Sequence, residues 1–167
     1  MSSRIVVMGP SGCGKSTLGE ALAETIGARF IDADDLHPLT NVDKMASGIP
    51  LDDEDRTPWL RSVGEALQGE ERIVVACSAL RRRYRDAIRA EAPETFFAEL
   101  LVDRATLTVR LDAREGHFMP PALLDSQLET LESLQEGERG VQIAGSLPLD
   151  QQIQAIQEAV RATYGAV

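Results

Sequence analysis

Eight consecutive residues, Gly9-Pro10-Ser11-Gly12-Cys13-Gly14-Lys15-Ser16, match G-x-x-x-x-G-K-[ST] at every fixed position. The chemistry of such a segment is phosphate binding. Its glycines let backbone N–H groups turn inward around a β-phosphate. The helix that must begin here adds the positive end of its dipole. Lys15 brings a point charge to the β- and γ-phosphates, the Ser16 hydroxyl can ligate Mg²⁺, and Thr17 follows on the same turn. Gly9 to Thr17 are therefore expected to contact the nucleotide, with Lys15 also serving catalysis.

A phosphate loop alone does not name a reaction. A GTPase switch needs an Asp-x-x-Gly turn and an Asn-Lys-x-Asp guanine reader. Asn41 is the sole asparagine and is followed by Val42, and no Asp has Gly three residues later. These absences point to a small-molecule kinase using ATP and Mg²⁺. The acceptor side is expected at Asp32 and Asp34, which close a strand-like run, Arg29-Phe30-Ile31-Asp32. In an open parallel sheet, ligands bind at the carboxyl ends of strands. One carboxylate there, Asp32, can hold a Mg²⁺-bound water. The other, Asp34, can accept the proton of an attacking hydroxyl.

The elements that must position these groups alternate in kind. Strand-like runs at Ile5–Met8, Arg29–Asp32, Ile73–Cys77, Phe96–Val102 and Val141–Ile143 are separated by helical patterns. The helical patterns cover Lys15–Ile26 (stopped by Gly27), Asp55–Leu67 with Pro58 in its first turn, Tyr84–Ala90, Ala105–Arg114, Leu123–Leu131 and Leu149–Tyr164. This order predicts an α/β fold of the P-loop NTPase type: a parallel five-stranded sheet with helices on both faces. One domain is expected over 1–167. Two inserts break the alternation, at about 35–58 and about 115–121, as a substrate-binding flap and a lid would.

With these elements in place, longer blocks become readable. Asp32-Ala33-Asp34-Asp35-Leu36-His37-Pro38, Asn41, Lys44-Met45-Ala46-Ser47-Gly48-Ile49-Pro50-Leu51, Asp53, Asp55-Arg56 and Pro58-Trp59-Leu60 resemble the gluconokinase family. So do Cys77-Ser78-Ala79-Leu80-Arg81, Tyr84-Arg85-Asp86, Gly116-His117-Phe118-Met119, Ser126-Gln127 and Thr130-Leu131-Glu132. The resemblance runs from the phosphate loop to about Glu132. It departs at Arg81, where the family commonly has Lys. It implies phosphate transfer to the 6-hydroxyl of D-gluconate, giving 6-phosphogluconate, an adenylate-kinase-like lid, and often a homodimer.

A polyol acid needs hydrogen-bonding groups and a cation for its carboxylate. The first insert supplies His37, Asn41, Lys44 and Arg56. The third strand ends at Ser78, and Arg81 and Arg85 follow one helical turn apart on one face. Arg110, Arg114 and His117 share a helical face at i, i+4, i+7. In the kinase reading one arginine stacks on adenine (Arg110), another neutralises the transferring phosphoryl group (Arg114), and His117 meets substrate. Gln127 is expected to touch the lid or the substrate. Trp59 reads as a core or flap anchor.

Bulk composition narrows the class. The chain has 167 residues and a net charge of −10, which disfavours nucleic acid as a partner. Two cysteines form neither a disulfide framework nor a metal spacing. No apolar stretch suits a signal peptide or a spanning helix, so a cytoplasmic protein without membrane contact is expected. Three rivals remain. A shikimate-kinase-like enzyme would carry Gly-Gly-Gly after the third strand, where Cys77-Ser78-Ala79 stands. A nucleoside monophosphate kinase would need a base pocket in the first insert. A nucleotide-dependent regulator would need no acceptor.

Overall fold

Ile5 and Val7 are buried against one layer of helices, and Val6 and Met8 against another. Such a strand cannot sit at a solvated face, and its apolar run follows from that. The computed structural model describes residues 3–113 and 121–165. Its five strands are β1 (Ser3–Met8), β2 (Arg29–Asp32), β3 (Arg72–Ala76), β4 (Phe96–Leu101) and β5 (Gly140–Ala144), paired in parallel in the order β2-β3-β1-β4-β5.

The helices are α1 (Lys15–Ile26), α2 (Leu39–Ala46), α3 (Asp53–Gln68), α4 (Arg82–Glu91), α5 (Arg104–Ala113), α6 (Pro121–Thr130) and α7 (Leu149–Tyr164), with a 3₁₀ turn at Ala33–Leu36. On one face Trp59, Val63 and Leu67 of α3 and Ile88 of α4 pack on Val6, Ile73 and Val75. On the other, Leu18 and Leu22 of α1, Leu107 of α5 and Ile156 of α7 pack on Val7, Val74 and Phe96. Both layers are needed, because parallel strands joined by right-handed crossovers place helices on each side.

The predicted strands and helices are present, with ends shifted by one or two residues. Two differences have physical causes. Helix α3 starts two residues early, because Asp52 caps it: the Asp52 carboxylate accepts from Asp55 N at 2.7 Å, and Asp55 reaches back to Asp52 N at 3.1 Å. Pro58 is thus the sixth helical residue and lies beyond the first turn. The first insert is also more ordered than an irregular flap, since it holds the 3₁₀ turn and α2. Helix α2 is short and, among its residues, only Asn41 is buried, so it carries little apolar periodicity to detect.

Register brings the chemistry to one edge. Asp32 pairs with Ala76, and Ala76 with Val7. The residues that follow, Ala33-Asp34, Cys77-Ser78 and the loop after Met8, therefore leave the sheet side by side. Gly9 N donates to Ser78 O at 3.3 Å and Cys77 N to Val7 O at 3.0 Å.

Candidate active site

The phosphate loop is shaped by its backbone. Gly14 precedes α1 with φ 97°, a left-handed conformation that suits glycine. At Gly9 a Cβ would meet Cys13 Sγ at 2.7 Å, so the buried Cys13 side chain fills the floor beneath the loop. Cys13 N donates to Pro10 O at 3.2 Å, closing the turn.

A cavity opens beside this loop, with Lys15 and Ser11 on one wall and Asp34, His37, Arg56 and Ser78 on the other. Asp32 anchors the corner between them. Its Oδ2 accepts from Ser16 Oγ at 3.2 Å, and its Oδ1 accepts from Asp34 N at 2.9 Å, capping the 3₁₀ turn. The two predicted Mg²⁺ ligands are thus adjacent hard oxygen donors, the type that ion takes. No group of three or more His, Cys, Asp or Glu clusters for a metal among the described residues.

The position of Asp34 is braced from behind. Trp59 Nε1 donates to Ala33 O at 2.7 Å, and the Trp59 indole stacks on His37 at 4.1 Å between centroids. His37 Nδ1 lies 3.2 Å from Asn41 Nδ2, which also donates to Asp55 O at 2.9 Å. A backbone carbonyl only accepts, so Nδ2 is the donor end of Asn41, and His37 Nδ1 must accept. The imidazole hydrogen therefore sits on Nε2. Burial, with the Arg56 guanidinium adding to it and Asp32 opposing, lowers the His37 pKa to about 4. His37 is a neutral hydrogen-bond donor near pH 7. Arg56 donates to Leu51 O and to Tyr84 Oη, and lies over the Tyr84 ring.

Gln127 also faces the cavity, and it grips the phosphate loop: Ser11 N donates to Gln127 Oε1 at 2.8 Å, and Gln127 Nε2 to Ser11 Oγ at 3.3 Å. Arg110 approaches the same loop from α5, donating to Gly12 O and Cys13 O at 3.3 and 3.1 Å. Beyond it lies a second cleft that Thr17 also lines.

Other expected ligands lie elsewhere. Arg85 does not face the cavity. Its side chain is fully buried and paired with Glu138, with Nε–Oε1 at 2.8 Å and Nη2–Oε2 at 3.0 Å. It also donates to Ala79 O, Glu132 O and Ser133 O. The expectation of substrate contact is corrected: a desolvated guanidinium with all of these partners is a structural brace. Lys44 is held by both carboxylate oxygens of Asp55, at 2.8 and 2.9 Å, and does not line the cavity. Arg81 precedes α4, and its buried Nε has no hydrogen-bond partner among the described residues. Arg114 and His117 lie outside the described residues.

The sequence reading missed the apolar wall of the cavity, Met45, Leu51 and Leu80, and two buried carboxylates. Glu138 holds Arg85 and Arg89. Glu99, on β4, accepts from Ser133 Oγ and Leu134 N. An acidic residue inside the apolar run Phe96–Leu101 was a readable signal for Glu99. Burial pushes the Cys77 thiol up to about 12, so it stays protonated near neutral pH.

Comparison with known proteins agrees with this geometry. Residues 5–134 match a family model described as an AAA domain. The chain is 45% identical to the thermosensitive gluconokinase of Escherichia coli over 140 residues, covering 81% of this chain and 75% of that one. The crystal structure of a gluconokinase from Sinorhizobium meliloti superposes with a TM-score of 0.88 at 45% identity, over 97% of this chain and 93% of the other. Shikimate kinase from Aquifex aeolicus shares the fold alone, at TM-score 0.66 and 16% identity over 98% and 99%.

Proposed function

Because the chain belongs to the gluconokinase family, we propose that it transfers the γ-phosphoryl group of ATP to gluconate, at the 6-hydroxyl. The single observation that carries this reading is the cavity where Lys15 of the phosphate loop and Asp34 meet over a common space. The step is an in-line displacement. The hydroxyl gives its proton to the Asp34 carboxylate as its oxygen bonds to phosphorus, and the bond to the ADP oxygen breaks. Lys15 balances charge on the transferring group. Mg²⁺, held by Ser16 and through water by Asp32, would neutralise the β- and γ-phosphate charge.

His37 Nε2–H and Ser78 offer hydrogen bonds to the polyol, and Arg56 is the cation nearest its carboxylate. Gln127 positions Ser11 and borders the acceptor. Arg110 meets the nucleotide, a role its contacts with Gly12 O and Cys13 O support. Arg81, Arg114 and His117 keep the roles expected from the sequence, whereas Lys44 acts on the insert through Asp55 and not on the substrate directly. One domain, with the substrate insert at about 35–58 and a lid at about 115–121, is part of the same proposal. So is a homodimer in the cytoplasm, on the strength of the family resemblance and the composition. Among the described residues no helix is long and apolar enough to cross a membrane.

The test is Asp34→Asn in a coupled ADP-release assay with gluconate. We expect kcat to fall by about 10²–10⁴-fold with Mg-ADP affinity held within about threefold. Near-wild-type turnover would remove Asp34 as the base. Turnover independent of gluconate would favour a regulatory nucleotidase instead.

A further inference from the structure

The far end of the nucleotide cleft carries a polar atom that phosphate transfer does not use. Past the phosphate loop, the cleft runs between Arg110 and the turn joining β5 to α7, where Leu147 and Gln152 face it. Gln152 is only 8% exposed. Its Nε2 lies 2.9 Å from Leu147 O and 3.3 Å from Gly145 O. Both partners can only accept, so the nitrogen end of the amide is fixed and its two hydrogens are used. The other end, Oε1, accepts no hydrogen bond from any described residue. The oxygen is not enclosed by the protein and opens to the cleft, where an arriving donor can reach it.

The turn that holds Gln152 has little freedom to swing this atom away from the cleft. Gly145 N donates to Leu101 O at 2.9 Å, and Leu147 N to Ala144 O at 3.2 Å. A Cβ at Gly145 would meet Val102 at 2.5 Å, so the turn lies hard against the end of β4. The acceptor atom is held by the fold before any ligand arrives.

We propose that Gln152 selects the base: its Oε1 accepts from the exocyclic amino group of adenine and so favours ATP over GTP. Guanine carries a carbonyl at the corresponding ring position. Two acceptors would then face each other in a desolvated site, which is an effective way to reject a near-isostere. The inference rests on the nucleotide reading of the cleft and is independent of the acceptor's identity.

The test measures Mg²⁺-dependent binding of three diphosphates to the unmodified chain by calorimetry: ADP, purine riboside diphosphate, which lacks the amino group, and inosine diphosphate, which has a carbonyl there. ADP is expected to bind at least about tenfold more tightly than either. Equal affinities overturn the proposal. In Gln152→Leu the three affinities should converge to within about threefold. If all three weaken in step, Gln152 only braces the turn and the proposal fails. Should that variant not fold, the series on the unmodified chain decides. Failure of every diphosphate to bind would defeat the phosphate-loop reading itself. Selective ADP binding without gluconate phosphorylation would leave Gln152 in place and remove only the acceptor assignment.

Discussion

His37 shows how much of a residue's role depends on its neighbours. Its type alone suggests a base titrating near neutrality. Asn41 and Trp59 make it something else, a neutral ring with its hydrogen pointing away from Asn41. If His37 acts as a donor, kcat/KM for gluconate should show no inflection between pH 6 and 8 that His37→Gln removes. Such an inflection, lost in the variant, would restore His37 as a titrating catalyst. Residues whose chemistry is local were readable in advance: the phosphate loop needs only its own eight positions, and Asp32 and Asp34 need only a strand end. Arg85 was not. Its one-turn spacing from Arg81 is real, but a helical face has no label saying which way it looks. The answer came from Glu138, 53 residues later.

At the scale of elements, that ion pair joins α4 to the chain leaving α6. Arg85 also holds Ala79 O, and Ala79 has φ 43°, an uncommon conformation for a residue with a Cβ. The neighbours of Ala79, Ser78 and Leu80, line the acceptor cavity. Arg85 therefore sets the shape of that wall from within the core. Arg85→Ala should cost about 3–5 kcal/mol in urea unfolding, because it takes the bidentate partner from the buried Glu138 carboxylate and leaves Arg89 as its one remaining cation. A variant of unchanged stability with only a raised KM for gluconate would return Arg85 to the binding site. The strand and helix order was legible because buried parallel strands are apolar throughout and amphipathic helices are periodic. Helix α2 was not, since it buries a single polar residue, Asn41, and owes its place to side-chain hydrogen bonds.

Over the whole molecule, stability and pH are linked through groups that fold into unusual surroundings. Glu138 is buried, which alone would raise its pKa, but Arg85, Gln135 N–H and Arg89 bring it down from 4.5 to about 2. The folded chain then binds fewer protons than the unfolded one between those values. The stabilisation is complete above about 4.5 and lost as pH falls through about 2. His37 has the same sign in a higher window. Its lowered pKa contributes stability that is complete above 6.5 and lost as pH falls toward about 4. The urea midpoint should accordingly hold steady from pH 8 to 7 and decline in two stages below that. Glu138→Gln should flatten the lower stage. A midpoint that rises on acidification would contradict both assignments.

Trp59 is the only tryptophan in the chain, and His37 covers its indole face. Emission on excitation near the red edge of protein absorbance therefore comes from one place, the acceptor pocket. Because an imidazolium quenches an indole that a neutral imidazole leaves bright, the molecule carries its own optical gauge of whether that pocket is filled and whether its histidine is charged.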